Sequence, residues 1–348
     1  MDINEFDFEL PEELIAYEPL EERDKCRLLV VNRKTSSFEE RVFYEIIQYF
    51  SSGDVLVLNN SKVIKARLMT KHQRTGREHE VLVANFQDEY NFQAIVKGLS
   101  KLKVGDVLEV GEFKFTLVGT SEGLGIFRSN LKFTIEELNK LGEIPLPPYI
   151  EKRRRKLNLP RVSEEDDVFY QTVYSSVYGS IASPTAGLHF TKELLDTIQK
   201  EGILVRYITL HVGPGTFEPV RTKKIEDFKL KSEYMEVSAS LIEEILQAKE
   251  RGKKVIAVGT TVVRALETVF RDINRNRKGF KGETDIFIYP GFEFKVVDSL
   301  ITNFHLPKSS LILLVSAFAG KDLIINAYRY AVDRRFRFYS YGDAMLII

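Results

Sequence analysis

The sequence predicts an α/β fold, a mixed sheet with flanking helices, into which a small β-barrel-like domain is inserted. Strand–loop–helix units occur toward both ends of the 348-residue chain, and short continuous apolar runs bounded by turns are typical of buried strands. In the middle, short strands alternate with glycines, which is typical of a small barrel or sandwich. We therefore expect a discontinuous α/β domain, 1–66 and 151–348, and an inserted β-rich domain, 67–150.

The first part of the α/β domain contains two predicted strands, 28–32 and 54–58, with a helix at 42–50 between them. The second strand is almost entirely apolar, which indicates burial on both faces. A polar segment at 59–62 follows it and predicts a turn.

The predicted insertion has five short strands, separated by glycine-containing turns, at 80–86, 92–96, 107–110, 113–118 and 124–128. A helix with one apolar face follows and ends at Gly142. The proline-rich segment 145–148 then predicts a stiff hinge back to the α/β domain.

A dense basic run, KRRRK at 152–156, comes directly after the hinge. One interpretation is a solvated loop, since charge runs usually lie in solvent. The other is a contact with a phosphate backbone through Arg153, Arg154 and Arg155. The chain has 50 basic and 50 acidic residues, so any polyanion must be held by a local patch of this kind.

The stretch 178–217 contains two unusual loops on either side of one helix–strand unit. The first loop, SPTAG, cannot continue a helix because proline lacks an amide donor and glycine is conformationally free. A helix capped by Thr191 and a strand at 203–212 follow, and the strand leads into a Gly-Pro-Gly loop. Ligands of open α/β sheets bind outside the carboxyl ends of strands, so both loops are candidates for a binding site.

A second strand–turn–helix unit follows, with a helix at 240–251, a strand at 254–258, the turn Gly259-Thr260-Thr261 and a helix at 262–270. The amides of such a helix terminus suit an anion. The unit lacks the lysine of a P-loop and the glycine pattern of a dinucleotide fold.

In the last part of the chain we expect a basic surface loop at 271–283 and strands at 286–289 and 294–297. A polar loop, 302–308, precedes the longest apolar run of the chain. The last four residues predict a strand, with Asp343 placed near its start.

Five candidate reacting groups lie in or near loops that follow strands: His189, His211, His305, Glu233 and Asp343. A histidine can accept or donate a proton near neutral pH. Each of them has a structural alternative, a hydrogen-bonded core histidine or a turn carboxylate. No pattern of cysteines and histidines has the spacing of a zinc site.

Composition points to a cytoplasmic protein. The single cysteine, Cys26, excludes an internal disulfide and fits a reducing compartment. The acidic N-terminus does not resemble a signal peptide, and the longest apolar stretch, 311–319, is too short to span a bilayer. We expect no membrane association.

Beyond these patterns, several stretches resemble one family specifically, and together they cover nearly the whole chain in order. PTAGLHFT, TNFHLPKS and YGDAM are the most characteristic; the stretches are RDKCRLLV (23–30), GDVLVLNNSKVIKARL (53–68), GEIPLPPYI (142–150), YQTVYSSVYGSIASPTAGLHFT (170–191), LHVGPGTFEPV (210–220), GKKVIAVGTTVVRALE (252–267), GETDIFIYPGFEFKVVDSLITNFHLPKSSLILLVSAFAG (282–320) and YSYGDAML (339–346). The chain resembles the S-adenosylmethionine:tRNA ribosyltransferase-isomerase family of queuosine biosynthesis.

This resemblance implies a reaction. The ribosyl part of S-adenosylmethionine is transferred to the aminomethyl group of 7-aminomethyl-7-deazaguanine at the wobble position of tRNA. The ribosyl part is isomerised, adenine and methionine leave, and the tRNA carries epoxyqueuosine. S-adenosylmethionine is then a consumed substrate, and neither a metal nor a redox cofactor is implied. We expect a monomer.

Roles for individual residues follow from this chemistry as hypotheses. A base near the carbon beside the sulfonium could be His189, His211 or Asp343, and Glu233 could orient the attacking amine. The methionine carboxylate could lie on the helix amides after Gly259 or on an arginine. The full set of expected substrate-binding residues is Thr185, Gly187, Gly215, Thr260, Thr261, Arg264, Asn303 and His305.

Five positions depart from the family pattern; Lys65 and Pro214 are conservative in consequence, and the other three bear on the chemistry. Phe228 and Lys231 stand where the family usually has histidines, so either those histidines are dispensable or Lys231 replaces one as a cation. Cys26 stands where serine is common, which argues against a catalytic thiol.

Two other functions remain open from the sequence. A tRNA methyltransferase would also use S-adenosylmethionine but would release S-adenosylhomocysteine. A non-catalytic RNA-binding protein would need no S-adenosylmethionine and would tolerate loss of every histidine.

Overall fold

The computed structural model describes residues 1–213, 220 and 222–348, and its main feature is a mixed sheet of nine strands. In chain order the strands are β1 Arg27–Asn32, β2 Ser37–Val42, β3 Val55–Asn59, β4 Ser61–Val63, β5 Arg67–His72, β6 Glu78–Phe86, β7 Asn91–Val96, β8 Val107–Val110, β9 Phe113–Ser121, β10 Leu124–Ser129, β11 Val177–Ser180, β12 Leu204–Leu210, β13 Glu233–Val237, β14 Val255–Val258, β15 Phe280–Thr284, β16 Ser299–Asn303 and β17 Ala344–Ile347. The order across the large sheet is β15-β13-β12-β3-β14-β16-β17-β1-β2.

The helices of the described residues flank this sheet or connect it to the barrel. They are α1 Ile135–Leu141, α2 Pro148–Lys156, α3 Asp166–Phe169, α4 Lys192–Lys200, α5 Ala239–Glu250, α6 Thr260–Phe270, α7 Ile273–Asn276, α8 Ser310–Ala319 and α9 Lys321–Asp333.

Four neighbouring strands of the sheet, β12, β3, β14 and β16, run parallel to one another. Their carboxyl ends therefore meet at one edge of the sheet. β17 runs antiparallel to β16 and pairs Ala344 with Asn303, so the start of β17 lies at that same edge. The predicted α/β fold with a mixed sheet is confirmed.

Side chains of the central strands alternate between two apolar cores. In β3, Val55 and Val57 face the larger core, while Leu56 and Leu58 face the other. Both cores exclude solvent, and this explains why the strand is apolar from Val55 to Leu58.

A closed barrel of six strands, in the order β10-β7-β6-β5-β8-β9, lies between residues 67 and 129. Phenylalanines fill its interior; they are Phe92, Phe113, Phe115, Phe127 and Phe133. The barrel-like insert is confirmed, and β5 is a sixth strand that the glycine pattern did not indicate. The domain bounds 67 and 150 stay a prediction.

Two predicted strands, 286–289 and 294–297, have no strand structure. The buried carboxylate of Glu267 accepts backbone hydrogen bonds from Lys295 (2.7 Å), Val296 (3.2 Å) and Val297 (3.1 Å). These amides are satisfied by a side chain, so the apolar segment needs no neighbouring strand.

Other local expectations also need correction. The helix expected at 42–50 is a 3-10 helix over Phe43–Tyr49. The segment expected as a basic loop at 271–283 contains α7 and the edge strand β15, which pairs with β13. The polar turn expected at 59–62 includes β4, which pairs with β11.

The basic run at 152–156 is the end of α2 and not a loop. Arg154 is 5% exposed and forms a two-pronged ion pair with Asp166, with N–O distances of 2.6 and 2.9 Å. Its Nε also donates to the carbonyl of Tyr17. Arg154 therefore cannot reach a phosphate without breaking this pair, whereas the exposed Arg155 can.

No single helix in the described ranges is long and apolar enough to cross a membrane. The consecutive helices α8 and α9, bent by 115° at their junction, meet the criteria of length and composition only as a pair.

We predict that Arg154→Ala lowers the free energy of unfolding by about 3–5 kcal/mol, because it leaves the Asp166 carboxylate buried without its cation. Arg155→Ala, one position along the same helix, should change it by less than about 0.5 kcal/mol. Urea unfolding followed by circular dichroism measures both values. Equal effects of the two substitutions would contradict the structural role of Arg154.

Candidate functional site

A narrow cavity of about 60 Å³ lies where the parallel strands end. It brings together several residues from distant parts of the chain, including the predicted binding residues Thr185, Thr260, Thr261, Asn303 and His305. Its walls come from the loop before α4, the start of α6 and the end of β16. Two of the candidate binding segments, the SPTAG loop before α4 and the turn at 259–261, therefore line the same cavity.

The start of α6 forms one wall of the narrow cavity. Gly259 precedes the helix with φ +90°, a conformation that favours glycine, and a Cβ on it would lie 3.7 Å from the Cβ of Ala186. Within the described part of the chain, the amides of Thr260 and Thr261 have no hydrogen-bond acceptor. This wall therefore presents hydrogen-bond donors and the positive end of a helix dipole.

Asn303, the last residue of β16, joins the opposite wall to the interior. Its Nδ2 donates to the carbonyl of Tyr339 (3.1 Å) and lies 3.0 Å from His189 Nε2. Its Oδ1 accepts a hydrogen bond from Thr185 Oγ1 (3.0 Å). Asn303 thus holds three segments of the chain together at the cavity.

His189 lies beneath the cavity wall. Its Nδ1 is 3.2 Å from Cys26 Sγ, and its ring packs on Phe43. Burial, with the nearby cations Arg337 and Arg23, lowers the pKa of His189 to about 3. Loss of solvent is the main cause of this shift.

His305 is a second deeply buried histidine. Its Nε2 lies 2.7 Å from Thr302 Oγ1, and its backbone amide donates to the hydroxyl of Tyr328 (2.9 Å). Burial lowers the pKa of His305 to about 3. The ring is therefore neutral at pH 7.

A wider cleft of about 480 Å³ lies between the sheet and the barrel. The residues that line it include His211, Lys231, Glu233 and Tyr234, and Val212 lines both this cleft and the narrow cavity. The narrow cavity and the wide cleft therefore lie next to each other, with Val212 as a shared wall.

His211 is half-buried at the wall of the wide cleft. Its ring stacks on that of Tyr234, with centroids 5.5 Å apart. Its buried Nδ1 has no hydrogen-bond partner within the described residues, and burial lowers the pKa of the imidazole. At pH 7 this ring can accept a proton.

Glu233 and Arg264 form a buried ion pair, although the sequence assigned them to separate parts of the substrate. Glu233 also accepts a hydrogen bond from the backbone amide of Gly213 (2.8 Å). Arg264 Nε donates to the carbonyl of Ile286 (3.2 Å). The pair fixes Gly213, three residues after the end of β12, against α6.

Asp343 lies at the start of β17, as predicted, but it borders neither the narrow cavity nor the wide cleft. Its two carboxylate oxygens accept hydrogen bonds from the backbone amides of Arg27 (3.0 Å) and Arg337 (2.7 Å). Burial raises its pKa. This environment matches the structural alternative for Asp343, a carboxylate that holds a turn.

The remaining predicted binding residues are two glycines, Gly187 and Gly215. Gly187 is buried against Tyr174, whose hydroxyl would lie 2.0 Å from an added Cβ, so a side chain cannot fit there. Gly215 lies outside the described residues. Two of the positions that depart from the family pattern are also located. Lys231 lines the wide cleft, and Phe228 packs on the ring of Phe287.

Among the cavity residues that sequence reasoning missed are Tyr149, Tyr339 and Ser340. The hydroxyl of Tyr149 bonds to that of Ser340, and the ring of Tyr149 lies 4.6 Å from that of Tyr339. Tyr339 has φ +73°, which is unusual for a bulky residue, and its carbonyl accepts the bond from Asn303. The proline-rich segment before α2 and the YSYGD motif were the available signals.

In the described ranges, no group of three or more His, Cys, Asp or Glu side chains could hold a metal ion. The expectation that no metal or redox cofactor takes part stays a prediction.

Comparisons with known proteins agree over the full length of the chain. The family described as "Queuosine biosynthesis protein" matches residues 3–347. Two relatives named S-adenosylmethionine:tRNA ribosyltransferase-isomerase, from Halothermothrix orenii and Sulfurihydrogenibium, are 49% and 46% identical, each over 100% of both chains. The crystal structure of S-adenosylmethionine tRNA ribosyltransferase from Thermotoga maritima has a TM-score of 0.57 and 39% identity, covering 99% of this chain and 100% of that one.

We predict that His305→Gln makes stability less dependent on pH. The buried histidine stays neutral in the fold but binds a proton in the unfolded chain, so stability falls as pH drops from about 6.5 toward 3. Glutamine binds no proton in the unfolded chain, so the slope of the free energy of unfolding against pH should decrease by up to about 1.4 kcal/mol per pH unit.

Urea unfolding between about pH 4 and 6 measures this slope. Tyr328→Phe is the matched control, because it removes a hydrogen-bond partner of His305 but leaves the titrating ring in place. The same slope in wild type and His305→Gln would show that the ring is not held neutral.

Proposed function

This chain belongs to the queuosine biosynthesis protein family, and we propose that it is an S-adenosylmethionine:tRNA ribosyltransferase-isomerase. It transfers and isomerises the ribosyl part of S-adenosylmethionine onto 7-aminomethyl-7-deazaguanine at the tRNA wobble position and releases adenine and methionine. One structural observation carries the proposal: a donor-lined narrow cavity and a wide cleft with a neutral histidine adjoin at Val212. Two substrates can therefore bind on either side of Val212.

The methionine carboxylate of S-adenosylmethionine binds at the start of α6. The unpartnered amides of Thr260 and Thr261 and the helix dipole favour an anion there. Arg264, the other candidate for this role, is committed to Glu233. Its part is to hold the cavity wall and not to bind the carboxylate.

His211 is the base that removes a proton beside the sulfonium. It borders the wide cleft, is neutral at pH 7, and has a buried nitrogen that lacks a partner in the described chain. His189 is too deep and already bonded at both nitrogens. Asp343 has both carboxylate oxygens bonded to backbone amides. Neither His189 nor Asp343 is therefore free to remove the proton beside the sulfonium.

The wide cleft receives the wobble nucleotide, which must leave its stack to react. A stacked pair such as His211 and Tyr234 offers a flat apolar surface for a base. The exposed residues of the basic run, Arg155 and the partly exposed Arg153, contact the tRNA backbone. We further propose that the protein is a cytoplasmic monomer that needs no metal or redox cofactor.

The decisive experiment incubates the protein with S-adenosylmethionine and tRNA that carries the aminomethyl base. We expect free adenine, free methionine and a mass gain on the tRNA equal to a cyclopentanediol epoxide, measured by liquid chromatography and mass spectrometry. S-adenosylhomocysteine would instead identify a methyltransferase. Binding of tRNA without any turnover would identify an RNA-binding protein.

We predict that His211→Gln lowers kcat by roughly 10²- to 10⁴-fold, the usual contribution of a general base, with little change in tRNA affinity. In wild type, kcat should fall as pH drops below neutral, because the base becomes protonated. Steady-state kinetics and filter binding measure these quantities. His79→Gln, on the barrel, is the matched control, and equal losses in both variants would remove His211 from the mechanism.

A further inference from the structure

A chain of hydrogen bonds runs from Cys26 to the narrow cavity, and its proton positions can be assigned. The carbonyl of Tyr339 can only accept, so the amide nitrogen of Asn303 must face it. The same nitrogen then points its second hydrogen at His189 Nε2, which must accept. The proton of the neutral His189 ring therefore lies on Nδ1 and is donated to Cys26 Sγ.

The same assignment decides what Thr185 can do. With its nitrogen turned to Tyr339 and His189, Asn303 presents only its oxygen to Thr185. The single hydroxyl proton of Thr185 is used in that bond. Toward the cavity, Thr185 Oγ1 is left with lone pairs and can only accept.

The narrow cavity thus has walls of opposite polarity. The start of α6 presents amide donors, and Thr185 presents an acceptor. A second acceptor, the hydroxyl of Ser183, is 4% exposed and has no hydrogen-bond partner within the described residues. Among the described residues that line the cavity, none is acidic, so a donor there is received by neutral groups such as these two hydroxyl oxygens.

We infer that Thr185 Oγ1 accepts a hydrogen bond from the α-ammonium group of S-adenosylmethionine, and that Asn303, held by the carbonyl of Tyr339 and by His189, is the positioning residue that fixes this acceptor role. The inference rests on the proposed function. A space of about 60 Å³ suits the small amino-acid end of this substrate and not its nucleoside. With the carboxylate at α6, the ammonium group lies on the side of the acceptors.

Kinetics with substrate analogues tests the contact. kcat/KM is measured at saturating modified tRNA with S-adenosylmethionine and with its desamino analogue. Thr185→Val should lower kcat/KM for S-adenosylmethionine by roughly 10- to 100-fold, as expected for loss of a hydrogen bond to a charged group. It should change the value for the desamino analogue less than about twofold, and Thr185→Ser, which keeps the hydroxyl, should resemble wild type with both.

Equal effects of Thr185→Val on the two substrates would overturn the inference. A third substrate, S-inosylmethionine, lacks the adenine amino group. If Thr185→Val affects S-adenosylmethionine but not this analogue, the donor is the adenine amino group, and the assignment to the ammonium group is wrong. Absence of adenine release from wild type would instead refute the proposed function itself.

Nuclear magnetic resonance tests the proton assignment independently of turnover. In protein labelled with ¹⁵N-histidine, the signals of His189 are identified by their loss in His189→Gln. We expect the proton on Nδ1 with no titration between about pH 5 and 9, and the same tautomer in Cys26→Ser, whose hydroxyl can also accept. A proton on Nε2 would overturn the chain of bonds and with it the acceptor role of Thr185.

Discussion

The parallel alignment of β12, β3, β14 and β16 is the constraint on which the site depends. Because these strands share one direction, the residues that follow them meet at one edge although they are far apart in sequence. His211, Gly259 and the end of β16 at Asn303 are brought together in this way. The apolar side chains of the strands hold the edge in place from two cores, so the site is built on rigid elements.

Burial assigns different roles to residues of the same type. His189 and His305 lose nearly all contact with solvent, so their pKa values fall to about 3 and their ring nitrogens serve as fixed hydrogen-bonding groups. His211 is less buried and borders open space. Likewise Arg154 and Arg155 are adjacent, but only the first turns inward to an aspartate. The direction of a side chain therefore decides whether it stabilises the fold or faces open space. A sequence pattern shows this direction poorly.

The sequence predicted the fold class, the barrel and many of the cavity residues, because these depend on local signals. Apolar runs identified buried strands, and glycines identified turns. It could not indicate that Glu267 would satisfy the amides of 295–297, since that contact joins positions 28 to 30 residues apart. For the same reason it missed Tyr149, which reaches the cavity from the segment after the barrel to meet Ser340.

The sequence also could not show that Glu233 and Arg264 form an ion pair with each other. Each is a plausible binding residue by type, and their partnership depends on the packing of β13 against α6. A pair of opposite charges in a buried site is costly to separate, so both side chains stabilise the position of Gly213 after β12.

The adjacency of the two spaces at Val212 constrains the order of groups along the bound substrate. On the proposed function, the amino-acid end lies between α6 and Thr185, and the wobble base lies in the wide cleft. The sulfonium and the carbon beside it must then lie near Val212, where the two spaces adjoin. His211 lines the wide cleft together with Val212, so the proposed base borders the space that must hold this carbon. The polarity of the narrow cavity and the position of the base are therefore two consequences of the same strand ends.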